Sequence, residues 1–129
     1  MTPQLREAIQ AAQDRKALDL RVLNMEGCCS FTSHFVICSG TSTRHTQAIC
    51  DGILERLKKS GYTPTHVEGY SRAEWILVDY LNFIVHIFVE RAREFYDLER
   101  LWKNAPRVTV KEGDEVWNRF IGPSGHSVT

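Results

Sequence analysis

The chain has 129 residues, 43% of them hydrophobic, and 16 Lys plus Arg balance 16 Asp plus Glu. One domain with an ordinary core fits that length, and no apolar run approaches the roughly 20 residues of a membrane span. The formal net charge of zero argues against a protein that holds RNA mainly through phosphates, where a basic excess is expected.

The amino-terminal segment MTPQLREAIQAAQDRK has no apolar signal core and carries acids, which points to a cytoplasmic protein and not to a secreted or organelle-targeted one. Thr2-Pro3 is a fair helix start, and Leu5, Ala8, Ile9 and Ala12 follow at helical spacing. Leu18, Leu20 and Val22 alternate with Asp19 and Arg21, a strand with one wet face. Phe35 to Cys38 is a continuous apolar run, better read as a buried strand. Gly40-Thr41-Ser42 turns it into a helix with the stripe Ile49, Ile53 and Leu57, closed by Ser60-Gly61. Val67-Glu68, Trp75–Asp79 and Phe83–Val89 complete a sheet of about five strands, and a helix from about Arg91 to Trp102 follows. Pro106 marks the end of the core. Residues 1–105 are thus the domain, and residues 106–129 a partly flexible extension holding one alternating piece, Val108-Thr109-Val110. The fold class is α/β, a single domain with a mixed sheet flanked by helices.

The cysteines form no framework. Cys28 and Cys29 are adjacent, Cys38 sits in a strand, Cys50 in a helix, and no pair has zinc-knuckle spacing. His34 and Cys38 lie four apart, which on a strand separates them by roughly 13 Å, too far to share an ion. Free thiols in a reducing compartment are expected, with no metal and no cofactor.

The turn Ser39-Gly40-Thr41-Ser42 can hold an anion through free backbone N–H groups at a helix start, although a helix cap with a tight turn is the commoner meaning. Metal-assisted transfer would need two converging carboxylates. Only Asp79 and Glu68 are candidates, and no D-x-D pair occurs. No catalytic residues are assigned.

His86 is a lone histidine between Val85 and Ile87; such residues usually bond a carbonyl or carboxylate. Alternation puts Trp75, Leu77 and Asp79 on one face of their strand and Ile76 and Val78 on the other. A two-residue turn at Leu81-Asn82 sets Leu77 opposite His86; a three-residue turn sets Ile76 there. On the last helix, Phe95, Leu98 and Trp102 fall within about 60° of one another and form the core stripe. Tyr96 then shares a polar flank with Arg93 and Arg100, a composition typical of interface hot spots and also of an ordinary surface tyrosine.

The ordered motifs FVI-(C)-SG-(T)-S-(T)-RH, EG, EWILVD, VH(I)F and FY-(D)-LE-(R)-LW, spread between Leu18 and Trp102, resemble the ribosomal silencing factor (Iojap-like) family. The resemblance implies a fold similar to that of nucleotidyltransferases. It implies a non-enzymatic translation repressor that binds a large-subunit ribosomal protein on the intersubunit face, the fourteenth of the bacterial series. The bound factor would sterically block joining of the small subunit. Such a role needs a firm contact of roughly 800 Å² per partner and no turnover. Little direct nucleic-acid contact, no membrane, and a homodimer when free are also implied. Carried onto this sequence, the partner-binding residues are Trp75, Asp79, His86, Arg93, Tyr96, Glu99 and Trp102, some supporting the surface without touching the partner. Two departures stand out: Ser33-His34 where the family often has Asp-Tyr, and Leu81-Asn82 where it usually has Gly-Asp. The tail after Pro106 lies outside the motif series. A large-subunit assembly factor and a nucleotide-binding relative of nucleotidyltransferases are the alternatives.

Overall fold

In a computed structural model, which describes residues 2–28 and 30–108, the first helix α1 (Pro3–Asp14) starts where the Thr2 hydroxyl accepts from the Leu5 N–H at 3.2 Å. Its expected stripe of Leu5, Ala8, Ile9 and Ala12 is fully buried. Strand β1 (Leu18–Asn24) runs antiparallel to β2 (His34–Gly40), and α2 (Thr43–Lys59) follows. Helix α2 ends as a Schellman turn, with Tyr62 N–H on Leu57 O, Gly61 N–H on Lys58 O, and Gly61 at φ +85°. Strands β3 (His66–Glu68), β4 (Trp75–Asp79) and β5 (Phe83–Val89) complete one edge of the sheet.

Among the described residues the sheet has six strands, not five, in the order β3-β4-β5-β2-β1-β6. The added strand β6 (Arg107–Val108) pairs with Val22 and Leu23 of β1, and Val108 is buried. The sheet therefore runs two residues past Pro106, whose carbonyl accepts from Asn24 N–H at 2.7 Å. Thr109 and Val110 of the expected alternating piece lie outside the described residues.

All pairings are antiparallel except β2 with β5, which is parallel and central. A central parallel pair is covered on both faces, and β5 is buried at every position. One face packs α1 and α2 over Val36, Cys38, Ile76, Val78, Val85 and Ile87. The other carries Phe35, Ile37, Ile84 and Phe88 under the carboxy-terminal helices.

Strand β1 departs from its expected wet face. Val22 and Leu23, adjacent in sequence, are both buried, one in each core, because this end of β1 is covered on both faces. Its start is also irregular: the register shifts between Leu18 and Arg21, with Asp19 at φ +47°.

The hairpin register left open by the sequence is the two-residue one, with Leu77 opposite His86 and Tyr80 N–H on Phe83 O at 3.0 Å. Leu81 pays for that tightness with φ +73°, a conformation suited to glycine, while the Asp79 carboxylate accepts its N–H at 2.8 Å. Replacing Leu81 by Gly should raise stability by about 0.5–1 kcal/mol. Relief of roughly 1–2 kcal/mol of left-handed strain exceeds the extra chain entropy of glycine, about 0.5–1 kcal/mol. Urea unfolding is the measurement, and a midpoint equal to or below the parent's contradicts the strain.

Candidate partner-docking site

The expected helix from Arg91 to Trp102 is two helices, α3 (Glu90–Tyr96) and α4 (Leu98–Leu101), broken at Asp97 in the left-handed region (φ 46°, ψ 51°). Asp tolerates that conformation better than most residues. The break resets the helical phase, so the wheel drawn through it fails. Phe95, placed in the core stripe by the sequence, is 81% exposed. Leu98 and Trp102 are half-buried against the second core as expected. Tyr96 is 51% exposed yet not on a detached polar flank: its ring lies 4.7 Å from Trp75 and 6.3 Å from Phe88.

Arg93, expected beside Tyr96 at the surface, is buried. Its Nε and Nη2 donate to both carboxylate oxygens of Glu99 at 3.0 and 2.8 Å. Its Nη1 donates to the Asp19 carbonyl at 2.7 Å and to Ser39 Oγ at 2.9 Å. In an unbroken helix, residues six apart point about 120° away from each other and stand roughly 9 Å apart along the axis. The Arg93–Glu99 fork therefore requires the break at Asp97. Burial alone would lower the Arg93 pKa, but the Glu99 bonds and the charges of Glu99 and Asp19 reverse the direction. Glu99 is held below the usual carboxylate value, chiefly by the Arg93 hydrogen bond, against burial.

Trp75 opens β4, half-buried, with its ring stacked 5.0 Å from Phe88. Its indole N–H donates to His86 Nδ1 at 3.1 Å. His86 thus bonds a side-chain ring, not the carbonyl or carboxylate a lone core histidine usually finds. The segment leading into Trp75 is fixed by Gly69 (φ +79°), where a Cβ would run into the Trp75 carbonyl oxygen. The buried Thr46 hydroxyl lies 2.6 Å from the Ala73 carbonyl, and Gln47 donates to the Tyr70 carbonyl. Helix α2 therefore anchors the loop that delivers Trp75. Gly69 was legible only as part of a motif; Thr46, Ser39 and Asp19 carried no sequence signal for these roles.

The seven expected residues thus divide. Trp75, Tyr96 and Trp102 form a partly exposed aromatic surface, with Trp102 edge-on to Phe35 at 6.0 Å. His86, Arg93 and Glu99 lie beneath or beside it as supports. Asp79 shares the Trp75 face by alternation but lies at the hairpin end of β4, bonded to Leu81 N–H. Exposed Phe95 stands edge-on to Tyr96 at 5.1 Å, Leu101 is exposed on α4, and Asp19, Glu90, Glu94 and Asp97 surround the buried guanidinium.

The glycine-hydroxyl turn is occupied by its own chain. Ser42 Oγ accepts from His45 N–H at 3.1 Å, and Thr41 N–H donates to His45 Nδ1 at 2.9 Å, leaving His45 Nε2–H for the Arg15 carbonyl at 2.8 Å. Cys38 and Cys50 are buried free thiols, pushed up to about 12 by burial, and Cys28 is exposed; Cys29 lies outside the described residues. Among the described residues no helix is long and apolar enough to cross a membrane.

The family model described as "Ribosomal silencing factor during starvation" matches residues 1–121. The chain belongs to the ribosomal silencing factor family. Its match to the family runs past Trp102, the end of the motif series, and into the tail beyond Pro106. The family is a non-enzymatic one of ribosome-binding factors. This family member is 37% identical over 109 residues to a ribosomal silencing factor of Bacillus subtilis, covering 84% of this chain and 92% of the relative. It is 36% identical over 107 residues to the one from Halalkalibacterium halodurans, covering 83% and 92%. A crystal structure of a Bacillus halodurans protein matches with TM-score 0.74 and 35% identity, over 82% of this chain and 96% of that one.

Two acid-linked losses of stability follow from the support residues. Burial pushes His86 down to about 4 from 6.5, so the unfolded chain takes up a proton first and stability falls as pH drops from 6.5 towards 4. Glu99 is shifted down from 4.5, so its contribution is full above that value and is lost as pH falls through the lower folded value. Glu99→Gln should lower stability near neutral pH by roughly 2–3 kcal/mol, because it weakens a buried charged bond. It should also remove the lower of the two acid-linked losses and leave the upper one in place. Denaturant melts across the acid range check both; an unchanged pH profile contradicts the assignment.

Proposed function

We propose that this protein binds the large ribosomal subunit through the aromatic surface of Trp75, Tyr96 and Trp102, and by its bulk keeps the small subunit from joining. Membership of the silencing-factor family carries the reading. The geometry supports it: aromatic rings held at fixed angles over a rigid sheet, half in solvent, are the composition of an interface centre. The carboxylates around Arg93 give this surface a negative border, so an apolar anchor with basic residues beside it is the complementary partner. The fourteenth large-subunit protein, implied by the family resemblance, is the proposed contact. Asp79 is proposed as an outlying contact, and His86, Arg93 and Glu99 as supports. In solution the free protein is proposed to be a cytoplasmic homodimer.

The protein should co-sediment with isolated large subunits and not with small ones. Added before the subunits mix it should lower the joined-ribosome peak, and added afterwards it should do little. Equal binding to both subunits, or unaltered joining at saturating protein, overturns the proposal.

Tyr96→Ala tests the surface itself. It should weaken large-subunit binding by about 2 kcal/mol, roughly thirtyfold in affinity. Because the ring packs on Trp75 and Phe88, a stability loss of about 1 kcal/mol accompanies it. Titration against large subunits beside thermal melts separates the two effects. Parental binding by a folded Tyr96→Ala protein places the contact elsewhere.

A further inference from the structure

Strand β5 is apolar at every position except His86, which is 4% exposed. A hydrocarbon side chain would serve the core better there, since burying an imidazole loses hydration that its bonds must replace. Only one of its ring nitrogens is repaid within the described residues: Nδ1 accepts the Trp75 indole N–H, while Nε2 has no hydrogen-bond partner. Because Nδ1 accepts, the ring proton sits on Nε2, and the ring is the neutral tautomer. The unpaired donor makes His86 a poor choice for stability and a specific choice for an acceptor aimed at Trp75.

The register explains the aim. Trp75 pairs with Phe88 and Leu77 with His86, so His86 is the diagonal neighbour of Trp75 on the same face. The His86 ring lies 5.9 Å from the indole and 4.6 Å from Phe35, and nearly parallel to Phe88 at 12°. Rings therefore enclose the imidazole and allow it little rotation. The indole in turn is the platform on which Tyr96 rests at 4.7 Å. Without the acceptor, a half-exposed tryptophan at the end of a strand retains alternative rotamers, and ordering it would be charged against binding.

We propose that His86 is a positioning residue for the docking surface: its Nδ1 locks the Trp75 indole in the one orientation that supports Tyr96 and meets the partner. The proposal rests on the docking function given above. Burial, which holds the His86 pKa near 4, keeps the acceptor lone pair available at neutral pH.

The test uses the full chain labelled with nitrogen-15. In the parent protein, a coupling across the hydrogen bond between Trp75 Nε1 and His86 Nδ1, with His86 in its Nε2–H form, is expected; its absence, or the opposite tautomer, overturns the proposal without any variant. His86→Asn places an amide oxygen near the position of Nδ1, whereas His86→Leu fills the space without an acceptor. The Asn variant should retain the Trp75 indole N–H shift and bind large subunits within about threefold of the parent. The Leu variant should move that shift towards the free-indole value and lose at least about tenfold in affinity, about 1.4 kcal/mol, while still melting cooperatively. Parental binding by the Leu variant, or equal loss in both variants, refutes the positioning role. Trp75→Ala run in parallel separates this from the docking function. If that variant binds normally the docking surface itself is wrong; if it fails while His86→Leu binds normally, only the positioning role falls.

Discussion

One buried guanidinium organises the carboxy-terminal half of the surface. Arg93 reaches from α3 to the Asp19 carbonyl on β1, to Ser39 on β2 and to Glu99 on α4. A charge taken out of water this way is tolerated only when its donors are matched, and the match fixes geometry as well as energy. It demands the left-handed residue at Asp97 that divides α3 from α4. That division turns Phe95 and Leu101 outwards while keeping Trp102 on Phe35. The bulge at Asp19 belongs to the same arrangement, since its displaced carbonyl is one of the acceptors.

The two faces of the sheet are built for different purposes. Under α1 and α2 the packing is aliphatic and closed, with Leu5, Ile9, Ile49, Ile53 and Leu57 fully buried. Under α3 and α4 the cover is short, and rings fill the space: Phe35, Trp75, His86, Phe88, Tyr96 and Trp102 form a contiguous set of ring contacts. Short helices leave part of an aromatic layer in solvent, and stacked rings hold their positions there with few rotatable bonds. Loop 69–74, tied back to α2 through Thr46 and Gln47, joins the closed face to the open one.

Local pattern was enough for the elements whose signals are local. The Thr2-Pro3 start, the α2 stripe and the bounds of β4 and β5 were readable because period and caps act within a few residues. The sidedness of Trp75 and Leu77 against Ile76 and Val78 was readable for the same reason. What escaped was set at long range. Arg93 looked like surface because nothing near it in sequence announces Asp19 or Ser39, 74 and 54 residues away. Phe95 looked like core because a wheel assumes an unbroken helix, and the break at Asp97 goes with a charge pair between α3 and α4. The two-residue strand β6 is too short to carry a period at all. The candidate docking residues came from the motif resemblance; geometry then separated those that reach solvent, Trp75, Tyr96 and Trp102, from the buried or paired His86, Arg93 and Glu99.

The parallel pairing of β2 with β5 has a consequence for how the chain is made. Its partners are drawn from residues 34–40 and 83–89, so on the ribosome the first must emerge well before the second. During that interval β2, apolar on both faces, has β1 along one edge and nothing along the other. Closure of the centre waits for a loop of more than forty residues, a non-local step of the kind that slows folding and leaves a strand edge open to wrong partners. A protein that folds in this order passes through its most association-prone form while still a nascent chain.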